Sequence, residues 1–216
     1  LNVVLRAQGK TLRFDTISVE MADGGNITGH GTLTGPRNVA NLHFDVEKVN
    51  ILGFQEKRIA EKKEPVEGRV NGQIDITGPL ETPRLAGEFQ AGNVRNKSVV
   101  LPDFKVRLQP LKAGGASLHA ENLPPGFELM QPSFLRLQRK KRVLQLTMAL
   151  RNAEPLKLLR KDEKSDETDL PRTKVRGRVS VEVPLTEEPE SSPTLRAFIP
   201  KGGLHMNTEN LTEPIE

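Results

Sequence analysis

Arg136 and the run Arg139-Lys140-Lys141-Arg142 form the densest basic cluster in the chain. Guanidinium and ammonium groups at that density neutralise phosphate oxygens, either of lipid head groups or of nucleic acid. The plainer reading is a charged hairpin tip that keeps a sheet edge soluble. Nucleic acid is disfavoured, because Trp and Tyr are absent and the eight Phe lie mostly inside apolar runs, leaving no bases' stacking partners. His30, His43, His119 and His205 show no i, i+2 or i, i+4 pairing, and there is no cysteine, so no metal site is expected. Gly29-His30-Gly31 precedes no helix pattern that could present an anion-binding N-terminus. Ser, His and Asp occur without a nucleophile elbow. Asn26-Ile27-Thr28, Asn96-Lys97-Ser98 and Asn210-Leu211-Thr212 match the glycosylation pattern, which is short enough to arise by chance. Neither a catalytic site nor a cofactor is expected.

The elements that would position any such group are strands. Val70, Gly72, Ile74 and Ile76 alternate with Asn71, Gln73, Asp75 and Thr77, and side chains of a strand alternate between its faces. Gly78-Pro79 interrupts the run, and Leu85, Gly87 and Phe89 resume it beyond Pro83. Elsewhere the apolar phase flips by one residue, from Leu12 and Phe14 to Ile17, Val19 and Met21, which predicts a β-bulge at Asp15-Thr16. A second flip separates Leu42, Phe44 and Val46 from Val49 and Ile51. Asp23-Gly24-Gly25-Asn26 is a hairpin turn, and a further hairpin is expected around Gln138 to Arg142. Turns every 8 to 12 residues predict an all-β chain, mostly antiparallel, with at most one short helix at Asn152 to Lys161, capped by Asn152. Residues 1–151 read as one continuous β region, 152–172 as the helix with a charged flexible loop, and 173–216 as a further β repeat.

Composition fits a sheet better than a globule. Of 216 residues, 35% are hydrophobic and 4% aromatic while 28% are charged, a thin supply for a core enclosed on all sides. The net charge of +4 is small against 32 basic and 28 acidic residues, as expected of a solvated mixed-charge face. No run approaches the roughly 18 apolar residues that span a bilayer as a helix. With Leu1 first and no signal pattern, the chain reads as an internal piece of something longer.

The pattern repeats. Gly35-Pro36 recurs as Gly78-Pro79, 43 residues on, with Leu42 falling over Leu85 at the same distance. Val175 to Val181 copies Val70 to Ile76 at 105 residues, with Pro184-Leu185 and Pro193-Thr194-Leu195 replacing Pro79-Leu80 and Pro83-Arg84-Leu85. Repeated units stack because none can bury its apolar face alone. The signature Gly-x-apolar-x-apolar-x-Gly-Pro-Leu-x-x-Pro-x-Leu-x-Gly, as in Gly72 to Gly87, resembles the repeat of the TamB-type translocation and assembly module family within the AsmA-like group. The likeness is clearest over Gly25 to Leu108 and recurs over Val175 to Ile199. It implies an elongated, curved sheet folded like a taco, periplasmic and tethered to the inner membrane by a segment outside this chain. It further implies that the inner face shelters phospholipid acyl chains between two membranes, and that other regions meet an outer-membrane barrel protein.

The expected groove lining is Val70, Ile74, Ile76, Leu85, Phe89, Phe104, Val106, Leu144, Leu146, Met148, Val179 and Val181. About a dozen strands at ~4.8 Å each would make a sheet on the order of 60 Å long. Two other readings stand beside it: a closed β-repeat scaffold or interaction module with a dry core and no lipid cargo, and an anion or polysaccharide binder built on Arg136 to Arg142.

Overall fold

The structure, a computed structural model, describes residues 1–51, 66–95, 100–138, 141–154, 172–185, 194–201 and 204–207. Their strands are β1 (Asn2–Gln8), β2 (Thr11–Glu20), β3 (Asn26–Thr34), β4 (Val39–Asn50), β5 (Glu67–Pro79) and β6 (Arg84–Arg95), followed by β7 (Phe104–Pro110), β8 (Ala116–Glu121), β9 (Phe127–Gln138) and β10 (Lys141–Ala153). β11 (Arg172–Pro184), β12 (Thr194–Phe198) and β13 (Leu204–Asn207) complete them. Each strand from β1 to β12 pairs antiparallel with the next in sequence, and β13 pairs with β11. The result is one elongated, curved all-β sheet, its strands in chain order.

Register across the hairpins keeps the apolar residues on one side. Both expected bulges are present. Asp15 and Thr16 together face His30 in the β2–β3 ladder, and the Asp15 carboxylate is clasped by Arg6 at 2.7 Å and Arg13 at 3.0 Å. Glu47 and Lys48 together face Asn71 between β4 and β5; Lys48 takes a φ of +51°, and its N–H donates to Asn71 Oδ1 at 2.7 Å. Each bulge adds one residue, so the flip in sequence phase leaves the face unchanged.

A third bulge lies in β9, a single strand running through Pro132. Gln131, Pro132 and Ser133 oppose Leu146 alone. The fully buried Ser133 hydroxyl accepts from Thr147 N–H at 2.9 Å and donates to the Met130 carbonyl at 2.6 Å, replacing the ladder bonds that proline interrupts.

Two sequence readings are corrected. In the repeat, Gly29 faces Phe44 and Gly72 faces Phe89, so the second hairpin matches the first with Phe89 over Phe44, not Leu85 over Leu42. Thr34 pairs with Val39 across four residues, whereas Thr77 pairs with Arg84 across six. The second turn is therefore longer by two residues, an even number that hides the shift from any period-two reading. A side chain at either glycine would run into the facing phenyl ring. Asn152, expected to cap a helix, instead lies in β10 with a φ of +55°, next to Ala153, which is fully buried and paired with Val175. Asparagine tolerates this left-handed backbone better than most residues. The rest of that expected helix and its charged loop, residues 155–171, lie outside the described residues.

The most buried cluster is Leu85, Leu108, Ala116 and Leu118 on β6 to β8, with Ile74, Ile76, Phe89 and Val106 against it. Leu144 and Leu146 of β10 also pack on this cluster from beyond β9, as a concave face requires. Gly115 holds the bend. Its φ is +88°, its N–H donates to Pro83 O at 2.6 Å, and its carbonyl accepts from Leu85 N–H at 3.1 Å. A Cβ there would be driven into the Leu135 carbonyl, while at Gly9, also left-handed at +58°, it would meet open space. Gly115→Ala is expected to cost at least about 2 kcal/mol, above the roughly 1 to 2 kcal/mol that left-handed backbone alone imposes on Gly9→Ala. Urea midpoints of the two variants check the difference, and equal midpoints would contradict it.

Candidate ligand-binding face

Directly paired residues of neighbouring strands share a face, so the registers fix which side chains sit together. Ile74 lies between Phe44 and Gly87, Ile76 between Leu42 and Leu85, and Val70 between Val49 and Ala91. Phe89 then pairs Val106, and Ala91 pairs Phe104. Ala116 leads to Leu135, and Leu135 to Leu144. Beyond it, Leu146 pairs Val181 and Met148 pairs Val179. All twelve residues expected to line a groove therefore share one face.

The face is larger than that set. Toward β1 it continues through Phe44, Leu42, Leu33, Ile27, Ile17, Phe14, Leu5 and Val3, and it includes Leu108, Leu118, Leu129 and Leu135 in its middle. Leu42, Phe44 and Leu108 alternate visibly in the sequence. The β2 residues alternate there too, with the phase flip that marks the Asp15 bulge. Outside the bulges, Arg142, opposite Leu137, is the one ionisable side chain among the described strand residues on this face. No second layer covers it among the described residues. Ile74, Ile76, Phe89, Phe104, Val106, Leu144, Leu146, Met148, Val179 and Val181 remain half-exposed, and Leu5 on the edge strand is 54% exposed.

The opposite face is polar and laced with cross-strand ion pairs. Arg107 on β7 reaches Glu88 of β6 at 3.2 Å and Glu121 of β8 at 3.4 Å, and Arg151 meets Glu128 at 2.9 Å. At this exposure each is worth under about 1 kcal/mol, so the ladder supports solubility more than stability. His43 donates from Nδ1 to Asp75 Oδ1 at 2.7 Å, lies 3.4 Å from Asp45, and its ring is tilted against that of His30 with centroids 5.4 Å apart. His119 sits apart, opposite Arg107. Among the described residues, no group of three or more His, Asp or Glu is arranged to hold a metal.

The basic cluster does not assemble on one face. Arg136 lies on the polar side, its guanidinium 4.7 Å over the Phe134 ring, whereas Arg142 lies on the apolar side. Arg139 and Lys140 lie outside the described residues; Lys141 opens β10 at the same tip. Comparison of the chain with family models, curated proteins and solved structures finds no match. No helix among the described residues is long and apolar enough to cross a membrane.

The hydrogen bond to Asp75 raises the His43 pKa above its usual value, helped by the charges of Asp45 and Asp75 and opposed by burial. A raised folded-state pKa contributes stability that is complete below the unfolded value near 6.5 and is lost as pH rises through the folded value. The stability difference between the native chain and His43→Gln is therefore expected to be larger at pH 5.5 than at pH 8.5. Denaturant titrations at the two pH values check this; a difference that grows with pH would reverse the sign.

Proposed function

We propose that this chain is a non-enzymatic segment of a TamB- or AsmA-like bridge between membranes, whose apolar face shelters phospholipid acyl chains. The observation that carries the reading is the continuity of that face, which runs from Val3 on β1 through every hairpin to Val179 and Val181 on β11 without a covering layer among the described residues. Apolar surface left open to water on this scale calls for an occupant. An acyl chain suits it, being long, unbranched and without polar groups to satisfy, and each methylene it buries contributes about 0.8 kcal/mol. The head group stays at the rim, in water.

In this reading the segment works in the periplasm, held to the inner membrane by a portion outside this chain, and supports outer-membrane biogenesis. An outer-membrane barrel protein would meet other parts of the bridge. The closed scaffold needs a second layer over the same residues, and the described strands supply only one.

Ile74, at the centre of β5 between Phe44 and Gly87, separates the two readings. On an open lipid face, Ile74→Asp is expected to keep the β-sheet circular-dichroism spectrum and weaken binding of a fluorescent phospholipid at least about tenfold, because a carboxylate must be desolvated to admit the acyl chain. Loss of the fold together with binding would favour a closed core. Undiminished binding would remove the apolar face as the lipid site.

A further inference from the structure

Every hairpin turn at one rim of the sheet from β1 to β10 is accompanied by a basic side chain. Lys10 lies in the β1–β2 turn, Arg37 in the β3–β4 turn and Lys112 in the β7–β8 turn, while Arg84 directly follows the β5–β6 turn and Arg142 follows the β9–β10 tip; Glu81, in the β5–β6 turn, is the acidic residue among these described turns. These turns are joined to one another. Gly35 N–H donates to Lys10 O at 2.8 Å, Leu80 N–H to Asn38 O at 3.3 Å, and Gly115 N–H to Pro83 O at 2.6 Å. Gln138 Nε2 donates to Ala113 O at 3.0 Å, carrying the row to the last tip. Five turns are thus held in one line, with neighbours two strand spacings, or roughly 10 Å, apart.

All five cations are exposed, and none is ion-paired with another described residue. The other rim differs in balance. It presents Glu20, Asp23, Asp103 and Glu121 beside Lys48 and Arg69, and its Arg95 and Arg151 are paired with Glu67 and Glu128. A mixed surface of this composition would scatter its charges over both rims. Here the rim where these turns lie carries five such cations, against exposed Lys48 and Arg69 on the other rim, and Arg142 belongs to the apolar face.

We infer that the rim carrying Lys10, Arg37, Arg84, Lys112 and Arg142 is a rail for the head groups of anionic phospholipids, a specificity that rests on the lipid reading of the apolar face. An acyl chain lying along a strand leaves its head group at one rim or the other. A head group of net negative charge gains at the basic rim and loses at the acidic one; a zwitterionic head group, whose ammonium offsets its phosphate, gains little from either. The rail therefore selects lipid class and orients every bound lipid the same way.

The test uses the full chain and two tail-labelled phospholipids with identical acyl chains, phosphatidylglycerol and phosphatidylcholine. Phosphatidylglycerol is expected to bind at least roughly fivefold more tightly in 0.1 M salt, the factor that one cation near an anionic head group supplies. The preference should collapse in 1 M salt, where the screening length falls from ~10 Å to ~3 Å, and in the triple variant Arg37→Gln, Arg84→Gln, Lys112→Gln, with phosphatidylcholine binding unchanged. Equal affinity for the two lipids, or a preference indifferent to salt and to the variant, overturns the rail and leaves the apolar face as a lipid site. Binding of neither lipid overturns both. Displacement of phosphatidylglycerol by glycerol 3-phosphate at comparable concentration would show that phosphate alone is recognised, and would overturn the assignment to lipid.

Discussion

Side chains in a β-strand alternate between faces, so a sheet can collect its apolar groups on one side only if every turn and bulge preserves parity from strand to strand. The whole architecture depends on that constraint. The bulges at Asp15 and Lys48 each insert a single residue, and the chain answers with a one-residue flip in its apolar phase. The β9 bulge and the longer β5–β6 turn each insert two, and there the phase continues unchanged. A one-residue slip anywhere would turn Ile74 or Leu146 to the polar side and bring a charged side chain such as Glu88 or Arg107 onto the apolar one.

A single curved layer gains less from burial than a two-layer fold, since most of its apolar side chains keep some exposure to water. What it has instead is continuity. Each strand from β2 to β11 is held on both sides, the Leu85, Leu108, Ala116 and Leu118 cluster anchors the middle, and turn-to-turn hydrogen bonds tie one rim from Lys10 to Gln138. The thin hydrophobic composition is therefore matched to the form. The same economy leaves an apolar surface uncovered by the described residues, which a ligand with no polar needs of its own can occupy.

Much of this is written locally. Val70 to Ile76 shows its alternation within seven residues, and the single-residue bulges at Asp15 and Lys48 betray themselves as phase flips because period two is sensitive to odd insertions; those opposite Gly68 and Arg176 fall at strand ends, where too little strand remains to show a flip. Even insertions leave no such mark. That is why the pairing of Phe89 with Gly72, two residues off the sequence alignment, emerges only from the hydrogen-bonded register. Asn152 was open to a helical reading because a polar residue before a leucine-bearing stretch is also what a cap looks like; burial of the adjoining Ala153 against Val175 decides for the strand. All twelve expected lining residues share a face because strands of known parity need only correct neighbours to align. The basic rim was not legible as a unit. Lys10, Arg37, Arg84 and Lys112 are isolated in sequence, and the visible cluster at Arg136 to Arg142 is divided between two faces by the same alternation.

The central claim is that the apolar face is a place for lipid. Native mass spectrometry of the purified chain, with solvent extraction of its lipids alongside, tests it most directly. Phospholipid retained in stoichiometric amount and released only on unfolding is the outcome expected of an open acyl-chain face. A chain that flies as a lipid-free monomer and takes up no added phospholipid would contradict the claim.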